Sequence, residues 1–398
     1  MSNELSAPST SQSGAGSLLR LLLDGRPRTR AELARATGLA RSTVTPRLDA
    51  LIEAGLITSH DEAMSTGGRP ASRFAFNPAA RVTLAADLGA THAAVAVTDL
   101  TGAPLATRRA DLDIADGPEP ILDWLVETGH QLLADAGRQV SDLVGVGIGV
   151  PGPVEHSTGR LTNPPIMPGW DRYDVPAKVG AGLHAPVLVD NDVNVMALGE
   201  HATAFPDEDH LIFVKVATGI GSGIISGGRL HQGAQGSAGD LGHVLAPHGG
   251  DATCRCGNTG CLEAVASGAA VAAKLREQGL DAQSSRDVVA LVRAGNMAAT
   301  QAVRQAGRDI GEVLAACVSL LNPSVIVVGG SLAEAGEMLL AGVREAVYRR
   351  SLPLATQHLR IVTSQTGSEA GVVGAATMVI QNALSPTVID AALAKAPA

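Results

Sequence analysis

The sequence predicts an α/β protein in two parts: a small helical unit closed by a β-ribbon, then a larger two-lobed body of mixed sheets. Three observations carry this. From Val82 to Leu384, short apolar runs alternate with helical patterns, which is the signature of strands covered by helices. Glycine-rich turns after Leu88 and after Ala217 open two similar hairpins, so the body divides into two lobes with a cleft between them. Ahead of the body, Ser17 to Phe76 holds three short helical segments followed by two apolar strand pieces around a polar loop.

Taken in order, residues 1–16 are Ser-, Gly- and Pro-rich without periodicity and are expected to be a disordered tail. The small unit spans 17–78. Its helices are Ser17 to Leu23, Thr29 to Thr37 (with Thr29 and Glu32 spaced as a capping box) and Ser42 to Ala54. Pro46 lies early in the third, which is expected to start late. Leu56 to Phe76 reads as a β-ribbon around Gly67-Gly68-Arg69-Pro70. The body spans 82–385, with lobes of 82–192 plus the C-terminal helix and 193–368; 386–398 reads as a tail. Its strands are Val82 to Leu88, Ala93 to Asp99, Leu143 to Val150, Val187 to Asp190, His210 to Val216, Gly223 to Ile225, Val325 to Val328 and Leu359 to Val362. Its helices are Pro118 to Ala136, Val193 to Ala204, Glu263 to Gln278, Ala298 to Leu321, Met338 to Arg350 and Glu369 to Leu384.

Aromatics make up only 2% of the chain against 45% hydrophobic residues, so the core is built from Ala, Val, Leu and Ile. No apolar run reaches membrane-spanning length and no secretory leader is visible, so a cytoplasmic protein without a membrane partner is expected. A net charge of −9 argues against nucleic-acid binding by the whole surface. Charge is unevenly spread, however. Ser17 to Phe76 carries nine Arg against six Asp and Glu, and Arg26, Arg28, Arg30, Arg35, Arg41 and Arg47 have only Glu32 among them. Ala34, Gly38 and Val44 stand where a helix-turn-helix needs a small residue, a turn and an apolar anchor. The unit therefore reads as a winged helix-turn-helix that binds double-stranded DNA. Arg41, Ser42, Thr43, Thr45 and Arg47 would face the major groove, and Arg69 on the wing would reach the minor groove or phosphate. A helical bundle that only contacts proteins is the other reading.

His243, Cys254, Cys256 and Cys261 offer one imidazole and three thiolates, with Gly257 and Gly260 to fold the loop. That donor set suits tetrahedral Zn²⁺ with no open position, a structural ion that would hold His243 by one ring nitrogen. A disulfide between two of these cysteines is the alternative. Cys317, alone in a helical pattern, reads as a small buried apolar residue.

Four segments taken together resemble the ROK family (repressor, open reading frame, kinase): Asp87-Leu88-Gly89-Ala90-Thr91, Val189 to Asn194 with its Asp190-Asn191-Asp192, Gly239 to His243, and Cys254 to Glu263. The helix-turn-helix and Arg69-Pro70 wing are similar to the family's repressor branch. The resemblance implies an actin/hexokinase-like two-lobed ATPase fold. It implies a sugar held by residues matching Asn163, Asn191, Asp192, Asp240, His243 and Glu263. Convergent carboxylates, amides and an imidazole suit that task, because buried hydroxyls need partners. It further implies phosphate loops at Asp87, Gly89 and Thr91 and at Thr218, Gly219 and Gly221, and a nucleotide-side loop at Gly329 and Gly330. In the family's kinases, the residue matching Asp192 takes the proton from the sugar hydroxyl. This chain departs from the kinases in having Asp240 for Glu, Ala90 for a second Gly, and His92 where Lys or Arg is common. The reading is a sugar-responsive regulator without significant catalysis, most simply a repressor acting as a homodimer or homotetramer on an inverted repeat. Its alternative is a sugar kinase using ATP, Mg²⁺ and Asp192; a third is a regulator whose signal is a protein.

Overall fold

The computed structural model describes residues 14–60 and 72–395. The wing loop with Arg69 and most of the N-terminal tail lie outside the described residues. No single helix among the described residues is long and apolar enough to cross a membrane.

The N-terminal unit has helices Ala15–Leu22, Arg30–Thr37 and Arg41–Glu53 against a three-stranded antiparallel sheet in the order Arg28–Thr29, Arg73–Phe76, Ile57–His60. The capping box forms as expected: the Thr29 N–H donates to Glu32 Oε2 at 2.7 Å and the Glu32 N–H returns to Thr29 Oγ1 at 3.3 Å. Gly38 ends that helix at φ +72°, a left-handed turn that glycine enters without strain. The third helix begins at Arg41 and not late. Pro46 removes one N–H on an exposed face of the helix, where the loss costs least. Leu18, Leu19, Leu22, Leu33, Val44, Leu48, Leu51, Ile57 and Phe74 form its core.

Two five-stranded sheets build the body, and their topologies match. In the first, Val82–Leu88 pairs antiparallel with Ala93–Thr98 and parallel with Leu143–Val150; Pro104–Ala110 and Val187–Asn191 lie at the edges. In the second, His210–Val216 pairs antiparallel with Ile220–Ser226 and parallel with Val325–Gly329; Arg229–Leu230 and Arg360–Thr363 lie at the edges. Each leading strand is buried and β-branched or alanine-rich, as strands covered on both faces must be. Helix Asp192–Ala204 and helix Ala370–Ala383 cross between the sheets. Their backbones touch: a side chain built on Gly199 would run into the Ala370 carbonyl, and one on Gly374 into the Val195 carbonyl. Gly147, in the first sheet, meets the Ala375 carbonyl in the same way.

Several elements differ from expectation. Residues 386–395, read as a tail, form helix Pro386–Lys395, which packs on the first helix of the N-terminal unit. Ile389 and Leu384 enter that unit's core, and Asp390 Oδ1 accepts the Gly16 N–H at 2.9 Å. The helix expected over Glu263 to Gln278 is two helices, Leu262–Ala266 and Gly268–Glu277. Between them Ser267 is extended, because the Gly268 N–H donates instead to the Ala217 carbonyl at 2.7 Å. Strand Pro104–Ala110 and helices Val175–Leu183 and Ser285–Arg293 were not anticipated.

Candidate functional site

The cleft is lined from both lobes by residues that cluster at strand ends. Asp87 is the penultimate residue of the first lobe's leading strand; it faces Gly149 across the parallel pairing. It is buried, and its carboxylate rests on Gly371 in the first turn of helix Ala370–Ala383, where the helix dipole favours an anion. Burial nevertheless pushes its pKa above the usual carboxylate range, with Asp192 adding to the rise and Lys215 opposing it.

Asn191 and Asp192 join strand to helix. Asn191 caps helix Asp192–Ala204, its Oδ1 accepting the Val193 N–H at 3.0 Å, and its Nδ2 donates to the Gly152 carbonyl at 3.1 Å. Its amide is thus engaged in holding the site together. Asp192 is buried on the first turn of that helix, and its Oδ2 lies 2.5 Å from Lys215 Nζ. Asp190, also buried, accepts Asn194 Nδ2 at 2.9 Å and Gln232 Nε2 at 2.5 Å, which fixes the segment from behind.

Lys215 was not anticipated. It is the penultimate residue of the second lobe's leading strand and faces Gly329 across the parallel pairing. Burial alone would depress its pKa, but Asp192 and Asp87 more than offset that, and the pKa is raised. One signal could have found it: a lone ammonium within the apolar run His210 to Val216, which has no polar face to point to.

Second-lobe residues converge from the other side. Glu263, half-buried, accepts the Ile220 N–H on Oε2 at 3.1 Å, and its carboxylate covers Gly219 in the second glycine-rich turn. Gly242, beside His243, packs on the Ile220 carbonyl and against Glu263. The expected Asp240, His243 and Glu263 are therefore carried on one assembly with Gly219; Asp240 is exposed at the start of the turn Leu241–His243. Asn163 stands on a separate first-lobe loop, exposed and left-handed at φ +44°, its own N–H held by Asp171 Oδ1 at 2.8 Å. Thr91 and Thr218 are exposed at the two glycine-rich turns; Gly221 lies on the strand after the second. In the first turn the His92 imidazole lies over Gly89. Gly330 is at φ +88°, packed on the Val216 backbone.

His243, Cys254, Cys256 and Cys261 place their donor atoms within 4.8 Å of one another. The cysteine sulfurs are not bonded to one another in this arrangement. Cys254 Sγ is 3.5 Å from His243 Nδ1, and Cys256 Sγ is 3.7 Å from Cys261 Sγ. A tetrahedral zinc ion with ordinary Zn–S and Zn–N distances needs edges of about 3.8 Å between sulfurs and about 3.5 Å from sulfur to nitrogen. The donor set fits. Cys317 is half-buried, more open than expected.

On the N-terminal unit, Arg41 and Ser42 are exposed at the start of the third helix. Thr45 bonds back to the Arg41 carbonyl at 3.1 Å, Thr43 is half-buried, and Arg47 has Nη1 buried without a hydrogen-bond partner. Arg28 pairs with Asp24 at 2.6 Å, and Arg30 stacks on Phe74 and approaches Asp49 at 3.8 Å. Acids flanking the Arg run thus engage part of it.

Residues 83–382 match the ROK family and residues 16–60 match a helix-turn-helix domain. The chain is 31% identical to the putative xylose repressor of Caldicellulosiruptor sp., over 92% of this chain and 95% of that one. Among solved structures it superposes with TM-score 0.83 and 27% identity on a ROK family transcriptional regulator, a homologue of the E. coli MLC protein, covering 96% of this chain and 98% of that one. The ROK hexokinase of Thermus thermophilus is 31% identical, with TM-score 0.64, and covers 74% of this chain and 97% of the hexokinase. Family match, two-lobed topology and an N-terminal helix-turn-helix agree: this chain belongs to the ROK family.

Proposed function

We propose that this protein is a sugar-responsive transcriptional repressor whose cleft is the sugar receptor and whose N-terminal unit binds operator DNA. The observation that carries the proposal is the packing of the helix-turn-helix onto helix Pro386–Lys395, which continues from the helix that rests on Asp87. That arrangement links the two ends of the function in one chain of contacts. Full-length similarity to a repressor supports it.

In this reading Asp192, Asp240, His243 and Glu263 hold the sugar hydroxyls, with Asn191 positioning Asp192 and Asn163 approaching from the facing loop. Zinc bound by His243 Nδ1 and the three cysteines would fix the loop and leave His243 Nε2 for the ligand. Arg41 and Ser42 would make the first DNA contacts, as a dimer or tetramer on paired half-sites. A sugar that binds one state a hundredfold better than the other would shift the equilibrium by about 2.7 kcal/mol. The kinase alternative needs Asp192 as a free base, whereas its Oδ2 is engaged by Lys215.

The test is a footprint on the DNA upstream of the protein's own gene with xylose, glucose and N-acetylglucosamine. The expected result is a protected site that one of these sugars releases or strengthens. Absence of any protected site rejects the proposal.

A further inference from the structure

We propose that Lys215 is a resident cation: its ammonium takes the place of a divalent metal between Asp87 and Asp192, so the cleft admits a sugar without a metal–nucleotide. The inference deepens the sugar-receptor reading and rests on it for the meaning of the cleft.

The argument begins with the matched sheets. Asp87 and Lys215 occupy the same position in their lobes, one residue from the end of the leading strand and opposite a glycine of the parallel neighbour. They therefore face each other across the cleft, and Asp192, paired with Lys215 at the helix start, completes a group of three in which both carboxylates are buried and the ammonium is half-buried. Two buried carboxylates facing each other need a counter-charge. A divalent ion bound by oxygens would supply it in a phosphate-transferring site. Here the protein supplies it covalently, through an ammonium 2.5 Å from Asp192 Oδ2. An octahedral ion demands several oxygens at about 2.1 Å, and it does not share that position with an ammonium of the same sign.

The neighbouring cradles are occupied as well. In the first glycine-rich turn the His92 ring lies over Gly89. In the second, the Ile220 N–H that would face a phosphate is taken by the Glu263 carboxylate, which also covers Gly219. An anion at that turn repels the phosphate that a bare glycine loop attracts. The residues present do not fit Mg²⁺–ATP. One Asp192 oxygen, Oδ1, remains to accept a sugar hydroxyl while Lys215 holds the other.

The experiment titrates the purified full chain with Mn²⁺, with and without the non-hydrolysable ATP analogue AMPPNP, and follows free Mn²⁺ by electron paramagnetic resonance. Wild type is expected to bind no Mn²⁺ at this site. Lys215→Met and Lys215→Gln are expected to gain a Mn²⁺ site with at least tenfold higher affinity, which disappears when Asp192→Asn is added; Lys215→Arg is expected to exclude the ion as wild type does. Mn²⁺–AMPPNP binding by wild type that Asp192→Asn abolishes overturns the proposal, as does a folded Lys215→Met that gains no metal. Should both neutral variants fail to fold, wild-type crystals soaked with Mn²⁺ and AMPPNP decide it: anomalous density between Asp87 and Asp192 refutes the inference, and its absence with the ammonium in place supports it. Since no arm uses DNA or sugar, failure here leaves the footprinting result standing, and failure there leaves this one.

Discussion

The two lobes repeat one plan with opposite charge. Each opens on a buried strand that turns through glycine into an antiparallel partner and has a parallel neighbour on its other side. At the equivalent position near the strand end the first lobe carries Asp87 and the second Lys215. The turns diverge too: an imidazole covers Gly89, a carboxylate Gly219. Topology conserves where the chain can present a side chain to the cleft, while chemistry at those points is free to change. The second lobe has used that freedom more, since it also carries the cysteine loop and half of the proposed sugar contacts.

The comparison can be broken most forcefully at the joint between lobes. Asp192→Ala is expected to cost about 2–4 kcal/mol in denaturant unfolding, because it leaves the half-buried Lys215 ammonium with Asp87 as its remaining counter-charge. A loss under about 1 kcal/mol would mean that the pair does not couple the lobes. Next comes the cysteine loop, which belongs to the second lobe alone. Chelation or Cys261→Ala is expected to lower sugar affinity about 10- to 100-fold by calorimetry, the scale on which orienting partners act. Unchanged affinity would detach the cysteine loop from recognition.

Gly330→Ala probes the loop that follows the second lobe's parallel neighbour strand, beside Lys215. Alanine at φ +88° against the Val216 backbone is expected to destabilise by about 1–3 kcal/mol while leaving the sugar dissociation constant unchanged. A changed constant would extend the receptor to that loop. Arg41→Ala, on the DNA unit, is expected to reduce the salt dependence of operator binding by about one unit of log–log slope, with no effect on sugar affinity. An unaltered slope would remove Arg41 from the interface. The smallest effect concerns pH. The Lys215 pKa is raised in the folded protein, so the folded state retains this proton where the unfolded chain, near about 10.4, has begun to release it. Its contribution is therefore complete below that value and declines as pH rises through the folded one. Wild type should lose stability in this alkaline window faster than Lys215→Met; parallel curves would indicate that the ammonium is not held.

Much of this was readable from sequence where local pattern and burial agree. The leading strands Val82–Leu88 and His210–Val216 are largely apolar runs whose polar residues fall with no helical period, and both lie where expected. The clustering of His243 with the three cysteines was legible because these residues are close in sequence. Pro104–Ala110 was not: it is an edge strand whose exposed side chains carry no alternation. Helix Pro386–Lys395 was hidden because its reason for existing, the core around Leu18 and Leu22, lies at the other end of the chain. Ser285–Arg293 carries a cue in the sequence, the Ser284/Asp287 capping box. Lys215 was missed for a different reason. Its partners, Asp87 and Asp192, come from the other lobe and the crossing helix, so only folding makes a counter-ion of what reads as an isolated polar residue.

The glycine contacts that the crossing helices make with each other and with the first sheet set how faithfully a change in the cleft travels. Where side chains interdigitate, a rotamer can absorb a small displacement; at Gly199, Gly374 and Gly147 backbone lies on backbone and there is nothing to re-pack. A tilt of the segment bearing Asp192 must carry Ala370–Ala383 with it as one body, and through Ser385 the final helix clasping Gly16. The joint has no backlash, and even one methyl group at Gly374 would jam it.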